Sequence, residues 1–535
     1  MNRRRLIQRT LATPTLAVLV ACGPSQTADP KPAGTTSAGG ASGSATSAPS
    51  AQTTQSRATK PVKGGTLNVV MSRDATNFDP IRQNDAFSST VLNTVVDTLY
   101  EIDSKGSVVG RLVEKTENPS TNVYVMTLRK GIMFQDGTPL NAEAVKFNLE
   151  RHIQNAQSVR HQDVRDITSI ETPDASTVKI TLKTPFAPFA SKLTGGAGYI
   201  LSPTAIQKLG EGIQRDITGA GSGAYKFVSW QKDAAGEALP YLDKLVFKPF
   251  PDENARLINV KTGDADVMVG NPPYKDVADL KKETGLTVDE VAGIGYSLFM
   301  MNTETEPFND VRVRRAFSYA IDRAQIRKTV YFDNGKLLDT PVPESISWAH
   351  DKAAPYARRD IAKAKSELQA AGKNSVKFTL QISNASPELQ AVAELVKDQI
   401  KEAGLEMEIQ LLEFATVIAN GAARQFQSLG LGWTGDIDPD TVYALYRSGA
   451  GINYPKYANP QVDKLLDDAR QTVDQSKRAE AYKQFQKIVW DEQPYLVYFN
   501  APQIATYRKN VQSYPNNYNG YWGSRDFDKV WKAVR

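Results

Sequence analysis

Cysteine is nearly absent from this chain of 535 residues, where Cys22 is the single example. That scarcity excludes a disulfide within the chain, a cysteine-built zinc or iron–sulfur site and a cysteine nucleophile in the body. Histidine is almost as rare. His152, His161 and His350 are the whole set, and none lies in an HExxH or paired-ligand spacing, which argues against a histidine-built metal centre. No long apolar run follows the first two dozen residues, so nothing in the body has the length to span a bilayer. The body also lacks positive charge. Arg3, Arg4, Arg5 and Arg9 give residues 1–23 a charge of +4, Lys31, Arg57, Lys60 and Lys63 against Asp29 give residues 24–63 +3, and the formal total of +5 leaves 64–535 at −2. Phosphate binding needs clustered positive charge, so nucleic acid is not an expected partner.

At roughly 150 residues per domain, the length corresponds to several domains. The N-terminus reads as an address. Three arginines at 3–5 precede an apolar stretch from Leu11 to Ala21, the size of a signal h-region and too short for a membrane span. It ends in Leu19-Val20-Ala21-Cys22-Gly23, which resembles the lipobox of bacterial lipoproteins, where the cysteine becomes N-terminal and carries lipid. Arg3-Arg4-Arg5-Leu6-Ile7 also resembles a twin-arginine signal, so the export route stays open. In residues 24–63, 34 of the 40 are Ala, Gly, Pro, Ser, Thr or Gln. Such a segment buries too little apolar surface to fold and is expected to be a tether with a reach of roughly 35 Å. The expected plan is thus a lipoprotein signal peptide at 1–22, a tether at 23–63 and a membrane attachment at Cys22.

From Gly64 onward strands and helices alternate without a repeat. Thr66–Val70 reads as a strand, and Val178–Leu182 alternates apolar and polar residues as a half-buried strand does. Asn141 is placed to cap a helix carrying Val145 and Leu149 on one face. Val313, Phe317, Ala320, Ile321 and Ala324 share a helical stripe, as do Leu389, Val392, Ala393, Val396 and Ile400, the latter ended by Gly404. Val462–Ala469 and Tyr482–Ile488 give two more helices before a strand at Tyr495–Phe499. The mixture is an α/β protein of more than one lobe.

Catalytic signatures are poor. Ser229-Trp230-Gln231-Lys232 and Lys261-Thr262-Gly263 match SxxK and KTG but lie too close together and have no SDN between them. Asp436-Ile437-Asp438-Pro439-Asp440 imitates a calcium loop, yet Thr441 stands where glycine must turn and Arg447 where the bidentate glutamate belongs. No nucleophile–base pair and no phosphate loop emerges. The pattern favours a binder over an enzyme, with no cofactor and no metal expected.

Several blocks in fixed order carry a resemblance over nearly the whole body. They are Gly64-Gly65-Thr66-Leu67 with Phe78-Asp79-Pro80, Leu128 to Val145 with Gln135 where histidine is usual, Gly221-Ser222-Gly223-Ala224-Tyr225, Pro240-Tyr241-Leu242-Asp243-Lys244, and Met301-Asn302-Thr303 with Pro307 to Arg323. Together these resemble the extracellular solute-binding proteins of family 5, the peptide-type receptors of bacterial ABC importers. The resemblance implies an α/β fold of the periplasmic-binding-protein type II, with two lobes joined by hinge strands and a subdomain inserted in lobe I. Lobe I maps to 64–98, 215–300 and 501–535, the insertion to 99–214 and lobe II to 301–500, with hinges near Met300-Met301-Asn302 and Phe499-Asn500.

It also implies a ligand in the cleft between lobes. Leu431-Gly432-Trp433-Thr434-Gly435-Asp436 is similar to the family's Gly-Trp-x-x-Asp block, which makes Asp436 the partner of a peptide ammonium and Trp433 and Thr434 neighbours of the ligand. The spacing from Asp79-Pro80 places Asn84, Asp85, Ala86 and Phe87 at ligand-contacting positions, with Asn84 replacing a glutamate seen in some peptide binders. Two departures matter: no arginine lies around Ser383–Ser386 where dipeptide binders grip a carboxylate, and the usual Asn-Pro-x-Tyr-Trp stretch is missing between Trp230 and Pro240. The implied partners are a peptide or small solute, ABC permease subunits and a membrane reached through the lipid, with the protein itself a monomer. Glutathione, an opine, an oligosaccharide or a metal chelate remain alternative ligands, and a chemosensory receptor or an enzyme on the same fold an alternative role.

Overall fold

Strand after strand in the second half of the chain is buried on both faces, and this decides the architecture. In a computed structural model of the protein, which describes residues 61–103, 106–156, 158–228, 236–237, 242–352, 358–514 and 527–533, the strands Tyr296–Met301 and Tyr495–Asn500 are almost entirely buried. They sit near the middle of a six-stranded sheet in the order Lys336–Leu337, Tyr495–Asn500, Tyr296–Met301, Ser428–Trp433, Val376–Ser383, Leu405–Leu412. Because successive side chains point to opposite faces, Phe299 and Met301 pack under the helices Val311–Ala320 and Pro387–Lys401. Tyr296, Leu298 and Met300 pack with Val462, Leu466, Tyr482 and Phe485 of the helices Pro460–Gln471 and Gln475–Glu492. Covered faces explain why these strands are continuous hydrophobic runs.

A second six-stranded sheet runs Leu286–Ala292, Pro502–Arg508, Val267–Met268, Thr66–Met71, Lys244–Pro249, Gly236–Glu237. Leu67 and Val69 face one core with Tyr225 and Phe527, while Val70 faces another with Leu257 and Val260 of the helix Glu253–Thr262. Between Thr66–Met71 and Lys244–Pro249 the chain leaves to build a four-stranded antiparallel sheet, Val113–Ser120, Val123–Leu128, Thr177–Leu182, Ile167–Asp174. Its strands Val123–Leu128 and Thr177–Leu182 alternate strictly between buried and half-buried residues. The helix Ala142–Gln154 covers their buried face with Val145 and Leu149, starting where the Asn141 side chain accepts from Ala144 N–H.

Helix boundaries differ from the sequence expectation in two places. The stripe from Val313 to Ala324 is two helices, because Val311–Ala320 ends at Ile321 and Asp322 caps a second helix, Arg323–Val330, by accepting from Gln325 N–H. The helix at 387 ends on Lys401 with Gly404 two residues past its cap, in the left-handed region at φ +89°.

The chain crosses between the two large sheets twice: the second crossing follows directly on the expected Phe499-Asn500, whereas the first lies upstream of Met300–Asn302. All of Tyr296–Met301 is paired within the first of these sheets, and so is Phe499. The breaks are Gly293-Ile294-Gly295, which leads from Leu286–Ala292 into Tyr296–Met301, and Ala501, which leads from Tyr495–Asn500 into Pro502–Arg508. The two crossings lie side by side. The buried Asn500 amide donates to Gly293 O at 3.0 Å and to Gly295 O at 2.6 Å, and a Cβ on Gly293 would collide with the Ala501 carbonyl.

Candidate functional site

Trp433 ends the strand Ser428–Trp433 opposite Tyr296, the first residue after the first crossing. The chain turns sharply there. Gly435 has φ +71° and leaves no room for a Cβ against the Ile294 carbonyl, so the turn 434–436 is folded tightly onto the crossing. Only glycine meets both demands. The turn therefore presents Trp433, Asp436, Asp438 and Asp440 beside the point where the two sheets join.

Each of the three aspartates meets a cation. Asp436 Oδ2 lies 2.8 Å from Lys192 Nζ, reaching from the first sheet's lobe to the inserted subdomain. Asp438 takes two bonds from Arg478, at 2.6 and 2.9 Å, with both side chains at most one-tenth exposed. Asp440 takes two from Arg470, at 2.6 and 2.8 Å. Paired, doubly bonded arrangements of this kind offset the cost of taking a carboxylate out of water. Burial opposes the charge on Lys192, yet Asp436, Asp440 and Asp163 hold its ammonium above the ordinary lysine range. Burial pushes the Asp163 carboxyl up, against the pull of Lys192 and Arg160.

Between the inserted subdomain and the second lobe lies a cavity of about 930 Å³, walled on one side by Phe186, Phe189 and Lys192 and on the other by Trp433, Tyr443 and Arg470. Trp433 is fixed by its indole N–H donating to Thr441 Oγ1 at 3.0 Å. The Arg470 guanidinium stacks on Tyr443, 3.2 Å from the ring centroid, and faces Phe186 at 5.4 Å. The two sides touch directly at Ala187 N–H, which donates to Arg470 O at 2.7 Å. A smaller space of about 100 Å³ adjoins Asp436, Lys192, Asp163 and Arg160, and Ile102, Ile294 and Ile437 close its floor as an apolar cluster. The chemistry on offer is aromatic and aliphatic wall with a few fixed charges, which suits holding a solute. Among the described residues no group of His, Cys, Asp or Glu side chains converges as a metal site requires.

The model of the bacterial extracellular solute-binding proteins, family 5, matches residues 107–454. The chain belongs to that family. It is 30% identical over 483 residues to the glutathione-binding protein GsiB of Escherichia coli K12, covering 85% of this chain and 91% of that protein. The oligopeptide-binding protein AppA of Bacillus subtilis, solved with a nonapeptide, superposes with a TM-score of 0.72 at 25% identity, covering 89% of this chain and 100% of that one. HbpA2 from Haemophilus parasuis superposes with a TM-score of 0.78 at 25% identity, covering 88% and 100%. The fold of this solute-binding protein is accordingly the two-lobed type II fold.

Within this family member the residues singled out in the sequence separate into two groups. Trp433 and Asp436 lie together at the cavities, while Thr434 is exposed beside them. Asn84, Asp85, Ala86 and Phe87 start the helix Ala86–Val95 on the second sheet's side. Asp85 is occupied as its cap, accepting from Ser88 N–H at 2.8 Å and from the Ser88 and Thr76 hydroxyls at 2.6 Å. Phe87 packs against the Leu67 core and Asn84 is exposed. No described hydrogen bond or ion pair joins 84–87 to 433–436. Gln135, the departure from the family's histidine, donates to Gly223 O and Tyr225 O and so braces a turn rather than a ligand. Lys192, Arg470, Tyr443 and Phe186 were not singled out by sequence, since nothing local marks a residue whose partner lies far along the chain. Cys22, the rest of the expected leader and residues 23–60 of the expected tether lie outside the described residues.

Proposed function

We propose that this protein is the receptor subunit of an ABC importer and captures a peptide or peptide-like solute between its lobes, performing no chemistry on it. The observation that carries the reading is the cavity of about 930 Å³ beside the Trp433–Asp436 turn, where aromatic walls meet charges already fixed by partners. Peptides suit such a space because their backbone amides need donors and acceptors while their side chains need apolar wall. The glutathione named for GsiB and the nonapeptide bound to AppA are both peptidic, which supports the same class. Asn84, Asp85, Ala86, Phe87, Trp433, Thr434 and Asp436 form the proposed contact set, with the first four closing from lobe I. Delivery to a permease requires the receptor to stay near the membrane, and lipid on Cys22 with 23–63 as tether provides that. Lobe I (64–98, 215–300, 501–535), the insertion (99–214) and lobe II (301–500) complete the proposed organisation, with the two crossings adjusted to 293–295 and 501. Purified protein mixed with a peptide pool should retain peptides detectable by native mass spectrometry. Retention of sugars or metal chelates alone would sink the peptide assignment. Labelled lipid should be incorporated by the wild type and not by Cys22→Ser.

A further inference from the structure

Asp436, the carboxylate that the family resemblance assigns to a ligand's ammonium, already has an ammonium. Lys192 Nζ sits 2.8 Å from its Oδ2, with the lysine side chain one-fifth exposed and the aspartate 30% exposed. The partners are 244 residues apart and come from opposite sides of the cavity. Lys192 has little freedom to withdraw. It closes the short helix Phe189–Lys192, whose Phe189 and Ser191 are buried, and the same segment is pinned to the second lobe through Ala187 N–H and Arg470 O.

The neighbouring carboxyl groups are engaged as well. Asp440 is doubly bonded to Arg470, and Asp163 lies in the field of Lys192 and Arg160. Three carboxyl groups thus face three cations. At this turn an incoming ammonium would find Asp436 and Asp440 already paired, and to reach Asp436 it would have to displace a lysine that the fold holds in place. An acyl oxygen meets the opposite situation. A lysine ammonium has three donors, so a carbonyl arriving at Lys192 can accept without breaking the pair with Asp436.

We infer that Lys192 is a specificity-determining residue, a built-in ammonium on Asp436 that makes the site accept peptide-like solutes whose amino end is acylated rather than free. The inference rests on the peptide reading above.

The test offers purified full-length protein a pool of tri- to pentapeptides of matched sequence, half with free amines and half N-acetylated, with retained species weighed by native mass spectrometry and affinities measured by calorimetry. The wild type should bind the acetylated form at least as tightly as the free amine. Lys192→Met should shift the preference toward the free amine by about tenfold or more, because Asp436 becomes available. Asp436→Asn added to that variant should abolish the gain. Lys192→Gln gives the same readout with a polar side chain if the methionine variant does not fold. A wild-type preference of about tenfold or more for the free amine, or no shift in either lysine variant, overturns the inference and leaves the peptide reading standing. Retention of neither form overturns the peptide reading and this inference with it.

Discussion

Asp85 and Asp436 are both half-buried aspartates next to a helix or strand end, and their surroundings could hardly differ more. Asp85 is satisfied within a dozen residues, by Thr76 and by the first turn of the helix it caps. Asp436 and its neighbours Asp438 and Asp440 are satisfied by Lys192, Arg478 and Arg470, which arrive 244, 40 and 30 residues away. The first arrangement stabilises one local element. The second ties an inserted subdomain and two helices to a single turn, so its strength depends on the relative placement of large parts of the molecule. A carboxylate in a loop therefore says little about function until its partner is known.

Removing one member of the most buried pair should give the largest effect. Asp438→Ala would leave the Arg478 guanidinium uncompensated beside Trp348 and Tyr482 and should lower unfolding stability by about 3–5 kcal/mol in urea titration. A loss below about 1 kcal/mol would mean that this turn is no better anchored than an exposed one.

Acid should expose a buried contact within the insertion. His152 is buried on the insertion's helix with Nδ1 2.8 Å from Ser158 Oγ, and burial, with Arg151 and Arg160, pushes its pKa down to about 3. The folded state therefore keeps this histidine neutral while the unfolded chain protonates near pH 6.5, so its contribution is complete above that pH. It should be lost at up to about 1.4 kcal/mol per pH unit as the pH falls from 6.5 toward 3. Comparison of wild type with His152→Gln by thermal melts across that window checks it: the stability gap between them should narrow as the solution is acidified, and a constant gap would rule the titration out.

The local arrangement should be cheaper to disturb. Asp85→Ala removes a cap and should cost about 1 kcal/mol, leaving ligand affinity to report whether 84–87 belongs to the site. At the bottom of the scale, Lys282→Ala breaks a pair with Asp279 in which both side chains are more than three-quarters exposed, and no change in melting temperature should be detected.

The same division between near and far governs how much could be read from the residues alone. Asn141 as a cap, the alternation of Val178–Leu182 and the apolar run at Tyr495 were visible because each depends on neighbours within a few residues. Asp322 was passed over because the stripe across it continues in phase, although its side chain starts a new helix. The first crossing departs from the sequence expectation because apolar Met300 and Met301 look like a strand end, whereas the break lies at Gly293 and Gly295, whose tight packing against Ala501 and against Trp433 and Thr434 has no sequence mark. The family blocks brought Trp433 and Asp436 into view, but Lys192, Arg470 and Tyr443 belong to the site only through the way three separate stretches meet.

The account stands or falls on where the solute sits. Calorimetric affinity of Trp433→Ala for a peptide retained by the wild type should be weaker by about tenfold or more, since the indole walls the cavity and is held by Thr441. Unchanged affinity in a folded Trp433→Ala protein would contradict the assignment of this cavity as the solute site.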